Sequence, residues 1–297
     1  MISAVEHPAV IAAAYQLEAQ GWSVAEWPVD GQGVVRLDQL DQLLSAPTRL
    51  VSLTAAQGEV GALQPLIEVA QACRERGIVI HSDATQLVPQ GCFPFERLGV
   101  DLLTLSAHKF RGPRGVGLLI RAPGVALSPL QGGGGQEHGL RSGTEPVALV
   151  SGMAEALMAL PSFAPVCHPV PPGSSAQIRR QRDHLLERLL ELPQLRLCGP
   201  PVTDRLPHHI SLLANAADGR PLPGRELVRR LASAGVACSS GSACSSGSSS
   251  DSDVLTAMGI PRPERQSGLR LTLGSWLSDQ DLDVVPDRFS SVLESFS

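Results

Sequence analysis

Lys109 has the most distinctive chemistry in this sequence, because it is the only lysine among 24 lysines and arginines. It follows the apolar run Asp101-Leu-Leu-Thr-Leu-Ser106, which predicts a strand that stops just before a turn rich in glycine, proline and arginine. Arginine supplies positive charge as well as lysine does, but only a primary amine can form an imine. The alternative is a surface lysine left in an arginine-biased composition. The apolar strand and the polar groups beside Lys109 favour chemistry.

A pyridoxal phosphate site is the chemistry that these residue types suggest. That cofactor needs a Schiff-base lysine, a carboxylate at the pyridinium nitrogen and a phosphate cup. Lys109 offers the amine, and Asp83 ends another predicted strand. Ser106 and His108 lie beside the lysine as candidates for the phosphate. Because parallel strands present their carboxyl ends to one crevice, we expect these groups to meet there, although Asp83 alone could equally be a helix N-cap.

Strand and helix patterns alternate along the first half of the chain, which predicts an α/β fold with a mostly parallel sheet. The predicted strands there are 22–29, 49–54, 78–83, 101–106 and 116–121, and the predicted helices are 7–20, 37–44, 63–76 and 145–160. A stretch rich in proline, glycine and serine then marks a boundary between a large domain, residues 1–163, and a smaller α+β domain, residues 164–297. The predicted elements of the smaller domain are helices 177–192, 224–234, 251–258 and 279–296 and strands 194–198, 208–213 and 268–273.

Two biased segments are candidates for ligand binding or movement. The glycine run 132–144 leads into a predicted helix, whose free N–H groups and dipole can hold an anion. Its alternative is a plain surface loop. The serine- and glycine-rich tract 238–252 contains Cys244 and cannot pack a core, so we expect it to be mobile.

Composition argues against several classes of protein. A net charge of −5 and only 3% aromatic residues disfavour a nucleic-acid surface. We expect no membrane partner, because no 18-residue apolar stretch occurs. The start has no signal-peptide pattern, so we expect a cytoplasmic protein. The six cysteines include no CxxC pair, so the sequence predicts neither a metal site nor a disulfide framework.

Six ordered motifs covering nearly the whole chain resemble those of cysteine desulfurases. They are Glu6-His-Pro-Ala-Val10, His81-Ser-Asp-Ala-Thr-Gln86, Ser106-Ala-His-Lys-Phe-Arg-Gly-Pro-Arg-Gly-Val-Gly117, Gly133-Gly-Gly-Gln-Glu-His-Gly-Leu-Arg-Ser-Gly-Thr144, Ser239-Ser-Gly-Ser-Ala-Cys244 and Leu269-Arg-Leu-Thr-Leu-Gly274. The resemblance is to the type that serves iron-sulfur cluster assembly, among the class V aminotransferase-like enzymes. It implies a PLP-dependent transferase-like large domain with pyridoxal 5'-phosphate as cofactor, and conversion of L-cysteine to L-alanine with transfer of sulfur to an acceptor.

The resemblance also implies which residues contact the cofactor ring. Lys109 would form the Schiff base and then move protons at the substrate α-carbon. Asp83 would pair with the protonated ring nitrogen, and Gln86 would hydrogen-bond the ring oxygen. His7 would stack on the ring face and take part in proton transfer as a catalytic residue, although a helix-start histidine can also be satisfied locally.

Further roles that the resemblance implies concern the phosphate, the substrate and the sulfur. Ser106 and His108 would bind the phosphate, and Thr144 would reach the phosphate of a second subunit in a homodimer. Arg270 would bind the substrate carboxylate, unless it is simply exposed on an edge strand. Cys244 would attack the substrate sulfur as a thiolate and carry it as a persulfide to the acceptor protein.

Two departures from the family pattern leave other interpretations open. The family has a longer region before the motif with His7, including part of the phosphate cup, and Gly58 stands where the family has an asparagine that binds the ring oxygen. That contact would fall to Gln86 or to water. The chain could therefore be a shortened, non-catalytic homologue that acts as a binding protein. A lyase for selenocysteine or cystine is the third interpretation, but it would not need Cys244.

Overall fold

The computed structural model of the protein describes residues 1–45, 47–90, 95–160, 174–241 and 251–296. Within these ranges the strands form one sheet of six strands and one of four. The strands of the larger sheet are β1 (Ile2–Ser3), β2 (Glu26–Trp27), β3 (Leu50–Ser52), β4 (Val79–Asp83), β5 (Leu102–Ser106) and β6 (Gly117–Arg121). Their order is β2-β1-β3-β4-β5-β6, and only β5 and β6 pair antiparallel. The prediction of a mostly parallel α/β sheet is confirmed.

The helices of the first half differ in how much apolar surface they bury. They are α1 (Pro8–Glu18), α2 (Leu40–Leu43), α3 (Leu66–Glu75) and α4 (Val147–Met158). The buried side chains of α3 include Leu66, Val69 and Cys73, which recur every three or four residues and pack into the core of the larger sheet. By contrast, α1 buries only Ala14 and α4 only Met153. Most of the apolar surface of α1 and α4 therefore faces solvent in this chain.

The smaller sheet is antiparallel and has its own core. Its strands are β7 (Leu195–Leu197), β8 (His209–Ala214), β9 (Ser239–Ser240) and β10 (Gly268–Thr272), in the order β7-β8-β10-β9. The helices of this half are α5 (Ser174–Leu190), α6 (Gly224–Ser233), α7 (Asp253–Ala257), α8 (Arg262–Arg265), α9 (Asp279–Asp283) and α10 (Val285–Glu294). Side chains such as Leu186, Ile210 and Phe289 fill the core. The α7 segment, with Val254 and Leu255, packs into the core of the larger sheet instead.

Several predicted elements are longer than the observed ones, and proline bears on two of them. The predicted strand 22–29 is observed only as Glu26–Trp27, and it ends at Pro28, which has no N–H to donate to a ladder. The predicted terminal helix 279–296 is two helices, α9 and α10, with Pro286 in the first turn of α10. Proline is tolerated there, since a first-turn N–H has no partner within its helix. The short elements α8 and β9 were too brief to give a sequence pattern.

Both described ends of the serine- and glycine-rich tract are ordered. At one end β9 pairs with β10, and at the other the Ser252 hydroxyl caps α7 by accepting the Leu255 N–H at 3.1 Å. The prediction of mobility concerns mainly residues 242–250, which lie outside the described residues, and it stays a prediction. Cys244 lies outside the described residues, and so does the predicted boundary between residues 163 and 164. In the described ranges no helix is long and apolar enough to cross a membrane.

Candidate active site

The carboxyl ends of β1, β3, β4 and β5 meet along one edge of the larger sheet, as parallel pairing requires. Hydrogen bonds connect the residues that follow these strands. The Glu6 carboxylate accepts the Thr54 N–H at 2.7 Å, and the Asp83 carbonyl accepts the Ala55 N–H at 2.9 Å. Asp83 lies opposite Thr104, two residues before the end of β5. The edge therefore brings together the ends that carry His7, Asp83 and Ser106.

Lys109 is presented by a tight turn. Ala107–Phe110 form a single 3₁₀ turn after β5, and Ala107 and Phe110 are buried while His108 and Lys109 are exposed. The turn closes because Ala107 O accepts the Gly112 N–H at 2.9 Å, and a Cβ atom at Gly112 would lie 2.9 Å from the Ala107 side chain. Slight burial and the nearby charges of Lys109 and Arg114 lower the pKa of His108. The turn therefore places an amine and a neutral imidazole side by side at the edge.

Asp83 and His7 both make local contacts. His7 makes the helix-start contact that was its alternative interpretation, whereas Asp83 accepts an N–H within a turn and caps no helix. The Asp83 Oδ1 atom accepts the Thr85 N–H at 2.9 Å, and its Oδ2 atom has no hydrogen-bond partner among the described residues. His7 is exposed at the start of α1, where its Nδ1 atom accepts the Ala9 N–H at 3.2 Å. These contacts fix both side chains and leave one carboxylate oxygen and the imidazole Nε2 atom for a ligand.

The Gly58 carbonyl, in the loop after β3 of the larger sheet, contacts side chains of the smaller sheet. It accepts the Arg270 Nη1–H at 2.8 Å and lies 3.2 Å from the His209 Nε2 atom. A Cβ atom at position 58 would lie 2.8 Å from the Gln86 amide nitrogen, so Gln86 occupies the space that a side chain there would need. Arg270, on β10 of the smaller sheet, and Gln86, in the turn after β4 of the larger one, therefore both lie against Gly58. The glycine at position 58 therefore leaves room for the Gln86 side chain, which a larger residue there would displace.

Thr144 is exposed and precedes α4. Within the described part of the chain it shares no hydrogen bond with the other candidates. Cys244 lies outside the described residues. The structure therefore places Lys109, Asp83, Gln86, Ser106, His108, His7 and Arg270 on elements that reach one edge, and does not bring Thr144 to them.

The family model for class V aminotransferases matches residues 1–285. The chain is also 35% identical over 289 residues to the cysteine desulfurase IscS of Methanosarcina thermophila, covering 96% of this chain and 68% of that protein. The chain belongs to the cysteine desulfurases of the class V aminotransferase family. The cysteine desulfurase IscS 1 of Archaeoglobus fulgidus is likewise 35% identical over 294 residues, 99% of this chain and 73% of the relative. The family resemblance of the motifs is confirmed.

A solved structure shows that the desulfurase fold extends over the chain. A NifS-like protein superposes with a TM-score of 0.82 at 31% identity, covering 100% of this chain and 75% of that one. The predicted PLP-dependent transferase-like fold is confirmed. About a quarter of the solved chain has no counterpart in this desulfurase sequence.

Two acidic residues near the carboxyl edge of the larger sheet were not assigned a role from sequence. Glu6 is 3% exposed and accepts the Ser3 hydroxyl at 2.6 Å, and its Oε2 atom has no hydrogen-bond partner among the residues that the structure describes. Burial raises the pKa of Glu6 to about 7, and the Asp83 charge adds to this, while hydrogen bonds from Ser3 and Thr54 oppose it. Burial likewise raises the pKa of Glu59 to about 7, against Ser252 and Arg270, which lower it. No sequence pattern singled out Glu6, because the Thr54 N–H that its carboxylate accepts lies 48 residues away.

A substitution at Gly58 tests the steric link to Gln86. We expect Gly58→Ala to push the Gln86 amide aside and to weaken pyridoxal phosphate binding about three- to tenfold, the value of one hydrogen bond. Titration of the cofactor by fluorescence quenching measures this. Gly31→Ala is the matched control, because the nearest atom to its added Cβ is 3.9 Å away. Equal affinity in Gly58→Ala and the parent would contradict a role for Gln86 in cofactor binding.

Proposed function

We propose that this chain binds pyridoxal 5'-phosphate at the carboxyl edge of the larger sheet and removes sulfur from L-cysteine, leaving L-alanine. The observation that carries the proposal is the common edge reached by the Lys109 turn, the Asp83 strand end and Arg270. An amine, an acid and a guanidinium on three elements match the needs of an amino-acid substrate handled through a carbonyl cofactor.

The residues at this edge fit the cofactor in donor chemistry. Asp83 has an unpartnered oxygen to hold the proton of a ring nitrogen, and the Gln86 amide is available to a ring oxygen. Ser106 and His108 offer a hydroxyl and an imidazole to the phosphate, and His7 offers its ring face. Lys109 supplies the covalent link. When bound, the cofactor supplies an electron sink for the substrate α-carbon.

Arg270 binds and orients the substrate. Its Nη1 atom donates to the Gly58 carbonyl at 2.8 Å, which leaves the edge formed by Nε and Nη2 for a carboxylate. Two parallel N–H donors on that edge match two carboxylate oxygens. The substrate α-carbon is thereby directed toward Lys109, whose amine, once released, takes and returns the α-proton.

Cys244 accepts the sulfur. Its thiolate forms a bond to the substrate sulfur while the substrate Cβ–S bond breaks. The electron pair of that bond stays on Cβ, which takes up a proton to become the methyl group of alanine, and the substrate S–H hydrogen stays on the outer sulfur of the persulfide. The persulfide then passes its outer sulfur to an acceptor protein for iron-sulfur cluster or other sulfur-cofactor assembly. We place this chemistry in a cytoplasmic homodimer, in which Thr144 of one subunit reaches the phosphate of the other. The division into a cofactor-binding domain, 1–163, and a domain carrying the cysteine loop, 164–297, belongs to the same proposal.

The assay that tests the function uses L-cysteine, pyridoxal phosphate and a thiol reductant. We expect alanine and sulfide in equal amounts from the parent and loss of both in Cys244→Ser, which keeps size but cannot carry sulfur. Release of sulfide from cystine, or of selenide from selenocysteine, by Cys244→Ser at the parent rate would favour a lyase. Cofactor uptake with no alanine from any substrate would instead favour a binding protein.

A further inference from the structure

Arg111 and Trp276 form a contact between the turn that carries Lys109 and the segment that follows Arg270. The Arg111 guanidinium carbon lies 4.6 Å from the centre of the Trp276 ring, and its Nη2 atom donates to the Ser275 hydroxyl at 3.3 Å. Arg111 comes two residues after Lys109, and Trp276 six residues after Arg270. We call the pair Arg111 and Trp276 the clasp.

The backbone on each side of the clasp is shaped to make this contact. Arg111 has φ of 65°, a left-handed conformation that is rare for residues other than glycine. On the other side, a Cβ atom at Gly274 would overlap the Trp276 ring, so the indole lies over the bare backbone of that glycine. The ring is therefore held between Gly274 and Arg111, although it is 68% exposed. An exposed indole held in this way is not explained by core packing.

We infer that the clasp is a positioning device that fixes the Lys109 turn relative to the Arg270 strand. An α-amino acid carries its amine and carboxylate on one carbon, so the group that meets the amine and the group that binds the carboxylate must keep a fixed separation. Lys109 follows β5 of the larger sheet, whereas Arg270 lies on β10 of the smaller sheet and already donates a hydrogen bond to the Gly58 carbonyl. The clasp supplies a second connection between the two parts of the chain, at Arg111 just after Lys109. This inference rests on the proposed function.

The clasp predicts a loss of substrate binding without a loss of cofactor binding. In Trp276→Ala we expect KM for L-cysteine to rise about three- to tenfold, as loss of one cation–π contact allows, with an unchanged visible band of bound cofactor. Arg111→Gly should behave alike, since glycine accepts the positive φ and removes the guanidinium. The double variant should be no worse than either single one. Trp22→Ala, which removes another exposed indole, is the matched control.

Hydrogen exchange tests the clasp without cofactor or turnover. The amides of Arg111 and Gly112, both bonded to the Ala107 carbonyl, should exchange faster in Trp276→Ala than in the parent or Trp22→Ala. An unchanged exchange rate there, or an additive double variant, would overturn the inference. If the parent itself shows no cofactor band, the proposed function fails, and the exchange experiment alone decides whether the clasp holds the turn.

Discussion

Replacement of Lys109 by alanine is expected to abolish the visible absorption band of the cofactor-bound protein and to lower the rate of alanine formation about a thousandfold or more. The amine has two tasks in the proposed mechanism, covalent attachment and proton transfer at the α-carbon, and no other lysine in the chain can replace it. Its exposure on the 3₁₀ turn leaves it accessible to an aldehyde.

Lys109→Arg separates the positive charge of this side chain from its chemistry as an amine. It keeps the positive charge at the sheet edge but cannot form an imine, so it should fail as completely as Lys109→Ala. Borohydride reduction of the parent with pyridoxal phosphate, followed by peptide mass spectrometry, should place the adduct on the peptide containing Lys109. An adduct confined to the amino terminus, or activity retained in Lys109→Arg, would contradict the assignment.

Replacement of Glu6 by glutamine is expected to make the protein more stable at neutral pH than the parent. The folded-state pKa of Glu6 is about 7, above the ordinary value of 4.5, because the carboxyl is buried. Between these two values the folded protein holds a proton that the unfolded chain has lost. The contribution of Glu6 to stability is therefore largest below pH 4.5 and declines as pH rises to 7, by about 3 kcal/mol in total.

Glutamine keeps the contacts of Glu6 while removing its titration. The Ser3 hydroxyl and the Thr54 N–H both donate to Oε1, which glutamine retains as a carbonyl oxygen. The difference in free energy of unfolding between Glu6→Gln and the parent should grow by about 3 kcal/mol from pH 4.5 to 7.5. Urea denaturation at several pH values measures it. A difference that stays constant with pH would show that Glu6 is ionised in the folded protein.

Comparing Glu6→Gln with the parent isolates the pH dependence of stability that is due to Glu6. Other buried groups, whose pKa shifts have the opposite effect on stability, contribute equally to both proteins. Burial lowers the pKa of His208 to about 4, so the unfolded chain binds a proton there between pH 4 and 6.5 and the folded protein does not. His208 therefore makes the parent more stable as pH rises through that window, whereas Glu6 makes it less stable. The pH profile of the parent alone would show only the sum of these contributions.

The residues that the sequence alone located are those at strand ends. Asp83, Ser106 and Lys109 each follow an apolar run, and parallel pairing of β4 and β5 is enough to bring them to one edge. The family resemblance added Arg270 and Gln86. Neither the periodicity nor the motifs could indicate that Gly58 joins these two, because that contact arises from packing between the two sheets, 212 residues apart in the chain for Arg270.

Burial of the acid at Glu6 was also beyond the sequence. Most glutamates in proteins are exposed. Glu6 is instead buried where its Oε1 atom accepts the N–H of Thr54, 48 residues away. The pairing of β9 was beyond the sequence for a similar reason. Ser239 and Ser240 have little strand propensity, but β10 offers them an unpaired edge. In both cases a distant backbone group decided the outcome.

The bond between Arg270 and the Gly58 carbonyl has a consequence for the order of folding. Residues so far apart in sequence meet only after a long loop has closed, which is slow compared with local helix and hairpin formation. The larger sheet can align Asp83 and Lys109 through neighbouring strands, whereas the Arg270 guanidinium, which we propose binds the substrate carboxylate, arrives only when the smaller sheet docks. We therefore expect a folding intermediate at this stage to have its covalent attachment point in place and to lack affinity for an amino acid.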